Sequence, residues 1–251
     1  MKVREIFAKA VLTKTAISGF DYCLNPYVGC GHGCRYCYAS FMKRFTGHKE
    51  PWGEFIDVKV NAPTLLKNQL KRAKRGIVAI STVTDPYQPL EKKYKITRGC
   101  LEALLGKQFS VNLLTRSPLC LRDLDLFKRF KKIEVGLTIT THDEAIKKLF
   151  EPRSPSISSR IKTLETLRRE RIKTYAFIGP LLPLKPAPLV KMFEGVVDEV
   201  LIDRMNYPNM VKGIYYKNGL DNYLTDDYFN VIGMDLKERF EKKGIPVTMI
   251  F

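Results

Sequence analysis

The chain has 251 residues and a formal net charge of +17, and 45% of its residues are hydrophobic, as in an ordinary globular protein. A chain of this length can bury one large core or two modest ones. No segment approaches the roughly 20 consecutive apolar residues of a membrane span, and the N-terminal MKVREIFAKAVLTKTA lacks the apolar core of a signal peptide. We therefore expect no membrane segment and a reducing, cytoplasmic location, which suits six cysteines.

Hydrophobic periodicity in the first third of the chain predicts short strands and two helices. Residues 1–19 carry no strong pattern and are expected to be a lead-in. Strands are predicted at 20–24 and at 55–60, where FIDVKV alternates. Helices are predicted at 38–45 and at 62–75, the second with Asn61 as its N-cap and Pro63 in its first turn.

From residue 76 onward the chain alternates between apolar strands and amphipathic helices. Five further strands are predicted at 76–83, 110–115, 133–140, 173–178 and 199–204. The predicted helices are 98–106 capped by Thr97, 118–130 capped by Ser117, 145–150 after a capping box from Thr141 to Glu144, 156–170, 188–195, and 223–243 interrupted near Gly233. A last strand is predicted at 247–251. This alternation predicts an α/β protein with βαβ units and about six parallel strands, arranged as an open, partial (β/α) barrel.

Three of the six cysteines lie within eight residues. Cys30, Cys34 and Cys37 have the spacing C-x3-C-x2-C in the glycine-rich stretch NPYVGCGHGCRYCYAS. Thiolates are the ligands preferred by zinc and iron–sulfur clusters. Three thiolates on a tight loop can each bind one iron of a cubane, and the fourth iron then stays open to a small molecule.

Two other interpretations compete for these cysteines. A structural zinc site would need a fourth ligand from Cys23, His32 or His48, and zinc ligands are more often paired in two C-x2-C-like knuckles. A disulfide framework is typical of small secreted domains, not of a chain of this length. The alternative function is therefore a non-catalytic zinc or iron–sulfur module that binds nucleic acid, which would explain the cysteines and the basic charge.

The cysteine spacing, with Tyr36 directly before the last cysteine, resembles the cluster loop of the radical S-adenosylmethionine (SAM) superfamily. The wider NPYVGCGHGCRYCYA, together with TVTDPYQPLE at 82–91 and EPRSPS at 151–156, resembles the spore photoproduct lyase-like branch. The resemblance extends from about residue 21 to about residue 183. It implies a partial (β/α)6 TIM-like barrel in a single domain over 1–251, with the barrel core at about 20–205 and a closing helix and strand at about 206–251.

The resemblance also implies the cofactors and the reaction. A 4Fe–4S cluster would be bound by Cys30, Cys34 and Cys37, and SAM would chelate the open iron. Reductive cleavage of SAM would then yield a 5′-deoxyadenosyl radical that abstracts hydrogen from a substrate. A reducing partner such as a ferredoxin or flavodoxin would supply the electron.

Polar residues follow the predicted strands, at the edge where parallel α/β proteins gather their ligands. By resemblance, Arg116 would bind the methionine carboxylate of SAM. Thr84 and Thr140 would hydrogen-bond the methionyl group or the ribose, and the backbone at Gly179 would lie against adenine. Glu151, Arg153 and Arg160 are expected to support the site or the fold, and an internal ion pair between Glu151 and one of these arginines is the favoured interpretation.

Tyr36 and Tyr38 flank Cys37, and the simplest interpretation is that they pack over the cluster. The resemblance to the lyase suggests a second role, the relay of a hydrogen atom during the reaction. The other three cysteines, Cys23, Cys100 and Cys120, are expected to be buried small apolar side chains.

The substrate is open. The hydrogen-donor cysteine of the lyase is expected near the start of TVTD, where this chain has Thr82, so lyase activity itself is not expected. A charge of +17 attracts nucleic acid, but many cations lie near predicted helix C-termini, where they complement the helix dipole. DNA, RNA and a protein side chain are the candidate substrates, and a partner chain is a further source of specificity. Oligomeric state is not indicated.

Overall fold

The computed structural model describes residues 1–251 and divides into two structural units, the first made of Met1–Gly33 and Tyr38–Val135. Its strands are β1 (Lys2–Ile6), β2 (Leu12–Lys14), β3 (Tyr22–Leu24), β4 (Tyr27–Val28), β5 (Phe55–Lys59), β6 (Ile77–Ile80) and β7 (Ser110–Thr115). Its α-helices are α1 (Ala62–Gln69), α2 (Glu91–Tyr94), α3 (Ile96–Leu105) and α4 (Leu124–Phe127), with 3-10 helices at Tyr38–Phe45 and Pro118–Asp123.

Pairing within the first unit produces a small sheet and part of a large one. The small sheet has the order β1-β5-β4, with β1 parallel to β5. In the large sheet, β3, β6 and β7 are parallel neighbours, and β2 is antiparallel to β3. The alternation of SVNLLT buries Val111, Leu113 and Thr115 on one face of β7.

The second unit contains Cys34–Cys37 and Gly136–Phe251. Strand β8 (Ile133–Thr138) begins in the first unit, and the later strands are β9 (Lys173–Ile178), β10 (Glu199–Ile202) and β11 (Val247–Met249). Strand β10 is parallel to both β9 and β11. The helices are α5 (Glu144–Phe150), α6 (Ile157–Arg169), α7 (Pro186–Phe193), α8 (Lys212–Lys217) and α9 (Asp226–Lys242), with 3-10 helices at Pro208–Met210 and Asp221–Tyr223.

The predicted βαβ architecture is confirmed. The large sheet has the strand order β2-β3-β6-β7-β8-β9-β10-β11, so from β3 onward its strands follow chain order. Helices or 3-10 turns separate the strands from β6 to β11, as a partial (β/α) barrel requires. The single-domain description of residues 1–251 stays a prediction.

Several details differ from the sequence-based expectations. The expected lead-in contains β1 and β2, which the sequence analysis did not predict. Helix α9 continues through Gly233 without interruption. A Cβ at Gly233 would come within 2.8 Å of Met249 and 2.9 Å of Phe251, so the glycine makes room for the C-terminal segment. The predicted helix over 118–130 is a 3-10 helix followed by one α-helical turn, although Ser117 caps it as expected.

Two of the predicted helix caps, Thr97 and Thr141, are wrong, and Asn61 is at the predicted N-cap position but its side chain does not cap the helix. In all three cases a tertiary partner takes the side chain. Asn61 bonds the backbone N–H and C=O of Ala8 and not its own helix. Thr97 lies inside α3 and donates to the carbonyl of Pro86 at 2.5 Å. Thr141 donates to the carbonyl of Pro183, and Asp143 caps α5 in its place.

Candidate active site

The cysteine loop lies between β4 and the 3-10 helix at Tyr38–Phe45. Cys30 and Cys34 are buried, Cys37 is partly exposed, and none of the six cysteines forms a disulfide. Tight backbone turns shape the loop: the N–H of Gly33 donates to Cys30, and the N–H of Cys37 donates to Cys34.

Glycine is required where this loop begins. Gly29 has φ +84°, and a Cβ there would lie 2.3 Å from the carbonyl oxygen of Phe55. The left-handed conformation and the close approach of a neighbouring strand both exclude a side chain. The loop can therefore leave β4 while staying packed against β5.

The thiols of Cys30, Cys34 and Cys37 are donors of the kind that bind iron–sulfur clusters. The zinc alternative needs a fourth ligand, but both ring nitrogens of His48 already face carboxylates, Glu50 at 3.1 Å and Asp57 at 2.8 Å.

The stretch TVTDPYQPLE supports the first half of the cysteine loop. The amide oxygen of Gln88 accepts the N–H of Gly31 at 3.0 Å. The hydroxyl of Thr84 donates to the carbonyl of Gly29 at 2.6 Å. Two side chains of this stretch therefore bind loop backbone that would otherwise be unsatisfied in a buried position.

Asp85, in the same stretch, joins the loop to the end of β7. It is 4% exposed, accepts the hydroxyl of Thr115 at 2.6 Å and the N–H of Arg116 at 2.9 Å, and lies 3.4 Å from His32. Burial alone would raise the pKa of Asp85, but the facing His32 ring and these hydrogen bonds outweigh it and lower the pKa to about 2. The ionised carboxylate thus fixes the backbone at Arg116, directly after β7.

The stretch EPRSPS supports the second half of the loop. The N–H of Arg35 donates to the carbonyl of Phe150 at 2.9 Å, and the hydroxyl of Tyr36 donates to the carboxylate of Glu151. Thr140 donates to the same carboxylate at 3.1 Å. Glu151 therefore fixes a tyrosine between two of the cysteines and a threonine just after β8.

Glu151 and Arg160 form the expected internal ion pair, and both are fully buried. The Arg160 guanidinium also donates to the carbonyls of Thr138 at 2.8 Å and Pro155 at 2.9 Å. Ser154 donates to Glu151 at 2.9 Å. The pair is therefore well hydrogen-bonded, as burial of two charges demands.

The other candidate residues have distinct surroundings. Tyr38 is 43% exposed, and its hydroxyl donates to the backbone carbonyl of Thr82, after β6. Gly179 directly follows β9, and a Cβ there would lie 2.4 Å from the ring of Phe177. The ring of Phe177 therefore takes the space that a side chain at Gly179 would need, and this packing explains the glycine without a cofactor.

The sequence did not indicate that Asp85, Gln88 and Glu151 support the cysteine loop and the end of β7. The two stretches that contain them were recognisable, but their contacts were not. Tyr36 and Glu151 lie 115 positions apart in the chain. No local pattern could have identified that pair.

Comparisons with known proteins agree with the fold. The model of the Radical SAM superfamily matches residues 24–194. The chain is 43% identical over 183 residues to an uncharacterized protein of Methanocaldococcus jannaschii, covering 73% of this chain and 69% of the relative. An uncharacterized protein of Mycobacterium tuberculosis is 29% identical, and the match spans 71% of this chain and only 56% of that relative. The Radical SAM Nalpha-GlyT isomerase of Pseudomonas phage M6 is 26% identical over 72% of this chain and 35% of its own length.

Solved structures show the same fold at low sequence identity. A spore photoproduct lyase mutant with bound AdoMet and dinucleoside spore photoproduct superimposes with a TM-score of 0.70 and 15% identity, covering 98% of this chain and 80% of that chain. Streptococcus suis SuiB bound to S-adenosylmethionine has a TM-score of 0.62 and 13% identity, covering 91% and 50%.

The chain belongs to the Radical SAM superfamily. It is a radical SAM enzyme, and its cofactors are a 4Fe–4S cluster and S-adenosylmethionine. None of its helices combines the length and the apolarity that a membrane crossing would need.

Proposed function

We propose that Cys30, Cys34 and Cys37 bind the 4Fe–4S cluster and that the enzyme cleaves SAM reductively to abstract hydrogen from a nucleic acid. The observation that carries the assignment is the anchoring of this loop. Gln88 and Thr84 bind its first half, and Glu151 binds its second half through Tyr36. Such contacts hold each of these two loop segments in place within its own unit before the cofactor arrives.

Arg116 is proposed to bind the carboxylate of SAM. Its backbone is fixed by Asp85 at the carboxyl end of β7, where ligands gather in parallel α/β proteins. A guanidinium can donate two parallel hydrogen bonds to a carboxylate. The side chain therefore contributes both charge neutralisation and orientation.

Thr84 and Thr140 are proposed to act as hydrogen-bond acceptors for SAM. Each already donates its hydroxyl hydrogen to the protein, to Gly29 and Glu151 respectively. The lone pairs of the hydroxyl oxygens remain available, because a hydroxyl has one donor and two acceptor positions. The amino group and the ribose hydroxyls of SAM are donors, so they suit these threonines; the contact of Gly179 with adenine stays a prediction.

When bound and reduced, the two cofactors supply an electron and a 5′-deoxyadenosyl radical for hydrogen abstraction. A reducing partner such as a ferredoxin or flavodoxin is expected to deliver that electron, and a reducing cytoplasm suits the cluster. A hydrogen relay through Tyr36 or Tyr38 stays a prediction. Either tyrosine would have to break its hydrogen bond, to Glu151 or to Thr82, when it gave up its hydrogen.

Nucleic acid is proposed as the substrate on two grounds. The chain carries a net charge of +17, which favours binding to phosphate backbones. Spore photoproduct lyase, which shares the fold, has been solved with a dinucleoside spore photoproduct. The lyase reaction itself is not proposed, because Thr82 stands where its hydrogen-donor cysteine would be expected.

The test is anaerobic cluster reconstitution, reduction and incubation with SAM, assayed for 5′-deoxyadenosine. Alanine variants of Cys30, Cys34 and Cys37 should lose the cluster absorbance and the product. The matched control is Cys23→Ala, since Cys23 is also buried but lies on β3, and it should keep both. A loop variant with full cluster absorbance would contradict the ligand assignment, and a colourless, zinc-loaded protein would support the binding-module alternative.

A further inference from the structure

A group of exposed aromatic rings lies on the 3-10 helix that follows the cysteine loop. Tyr38, Phe41 and Phe45 are 43%, 40% and 67% exposed, and Arg44 is exposed between them. These four residues are called the aromatic platform below. Single exposed apolar residues are normal on a protein surface, but a cluster of exposed rings indicates an interaction surface.

The members of the aromatic platform contact one another. The rings of Tyr38 and Phe41 have centroids 6.4 Å apart and planes inclined by 25°. The ring of Phe45 lies 6.5 Å from that of Phe41, edge to face. The guanidinium of Arg44 lies 5.2 Å from the Phe41 ring and 4.9 Å from the Phe45 ring. The planar groups are thus arranged before any partner arrives.

The base of the aromatic platform is fixed to the first unit. Ala39 is buried beneath it, and the hydroxyl of Tyr38 donates to the carbonyl of Thr82. The hydroxyl of Thr46 donates to the carbonyl of Lys43 at 2.7 Å, and Arg4 donates to the carbonyl of Thr46 at 2.7 Å. A surface fixed in this way loses little conformational entropy on binding.

The charged residues within the segment that carries the aromatic platform have one sign. The stretch YASFMKRFTGHK at 38–49 contains Lys43, Arg44 and Lys49 and no acidic residue. Exposed planar rings with interleaved cations are the combination that proteins use for single-stranded nucleic acid, because every base offers a π-face and every nucleotide a phosphate. A membrane-binding helix would bury a continuous apolar face, whereas here the guanidinium of Arg44 lies over the Phe41 and Phe45 rings.

We propose that the aromatic platform stacks unpaired bases of a single-stranded nucleic acid and holds the strand directly after the cysteine loop, since Tyr38 follows Cys37 in the chain. This inference deepens the proposed action on nucleic acid and rests on it. It names the form of the substrate, unpaired bases, and the residues that bind it. Stacking explains why the rings are exposed, and the cations explain how the phosphates are neutralised.

The experiment measures binding without turnover, by fluorescence anisotropy of a labelled oligothymidylate with anaerobically reconstituted holoenzyme. Loss of one stacked base typically weakens binding by about 5- to 150-fold. We therefore expect Phe41→Ala/Phe45→Ala to weaken binding by at least about 5-fold. The matched control is Phe7→Ala, which removes a phenyl ring that is 81% exposed but lies outside the aromatic platform, and it should bind like the wild type.

The salt dependence separates stacking from charge. Each phosphate contact contributes about 0.7 to the slope of log affinity against log salt for a single strand. The phenylalanine variant should keep the wild-type slope, whereas Arg44→Ala should reduce it by up to about 0.7. Arg44→Lys should keep the slope but recover only part of the affinity, because an ammonium does not stack as a guanidinium does.

Other results would contradict the aromatic platform, the nucleic-acid function, or both. Wild-type affinity in Phe41→Ala/Phe45→Ala would refute the aromatic platform while leaving the nucleic-acid function intact. If the wild type bound neither DNA nor RNA oligonucleotides, the aromatic platform and the nucleic-acid function would both be refuted. Formation of 5′-deoxyadenosine would still test the radical SAM chemistry separately. If the variant lost binding to vesicles with anionic lipid but not to oligonucleotides, the surface would be a membrane-docking one. Far-UV circular dichroism should show that Phe41→Ala/Phe45→Ala is folded, because the two rings that it removes are exposed.

Discussion

Replacing Glu151 by glutamine tests how the fold supports the cysteine loop. Glu151 is fully buried, and its carboxylate accepts hydrogen bonds from Tyr36, Thr140, Ser154 and Arg160. Glutamine has nearly the same size but no charge, and its NH2 group would face donors. The substitution therefore leaves the volume unchanged and removes the partner of a buried cation.

The expected cost follows from the burial of Arg160, which is also fully inaccessible to solvent. Breaking a buried ion pair by removing one partner costs about 3–5 kcal/mol. That is a large fraction of a total stability of roughly 5–15 kcal/mol. For a chain of this size each kcal/mol lowers the melting temperature by roughly 2–4 °C, so the melting temperature of Glu151→Gln should fall by roughly 6–20 °C.

The assay is thermal unfolding of anaerobically reconstituted protein, followed by far-UV circular dichroism, with iron content measured in parallel. The control is Arg168→Gln, which breaks an ion pair to Asp198 at 2.7 Å whose side chains are 41% and 37% exposed. Such a surface pair contributes only about 0–1 kcal/mol. The double variant Glu151→Gln/Arg160→Met should be less destabilised than the sum of its single variants, because it leaves no unpaired charge.

Equal melting temperatures for Glu151→Gln and Arg168→Gln would refute this reasoning. The iron content supplies a second criterion. Because Tyr36 lies between Cys34 and Cys37, loss of its carboxylate partner should also lower the iron retained per chain. A destabilised variant with full iron content would show that Glu151 supports the fold but not the loop.

Three further predictions concern individual residues. Arg116→Ala should weaken SAM binding by about 10- to 150-fold, since a hydrogen bond to a charged group contributes about 1.5–3 kcal/mol, and it should change the unfolding free energy little. Isothermal titration that showed unchanged SAM affinity would remove Arg116 from the site. Gly136→Ala should destabilise the fold by about 1–3 kcal/mol in a denaturant titration, because its Cβ would lie 2.2 Å from the Tyr175 ring. The control is Gly213→Ala on α8, whose Cβ would meet no neighbour, and it should be neutral or stabilising in the same titration. Tyr38→Phe should retain SAM cleavage but lose substrate turnover if Tyr38 relays hydrogen, and unchanged product formation would exclude that role.

The features that the sequence predicted well depend on short distances along the chain. Strands β7 and β9 and helix α6 were located to within a residue or two, because hydrophobic periodicity reflects which face of a segment is buried. Ser117 and Ser156 cap their helices as expected. The cysteine spacing places three thiols within eight residues of the chain.

Local patterns in the sequence were therefore enough to predict the alternating α/β architecture and the cluster of three cysteines. The polar side chains that support the cysteine loop could be identified only after the chain had folded, because they come from distant segments. Asn61, Thr97 and Thr141 had plausible local capping roles, but packing offered each a different, more distant partner. Glu151 meets Tyr36 across 115 positions for the same reason. A buried polar group binds whichever partner the fold brings within reach, because leaving it unsatisfied costs more than any local preference provides.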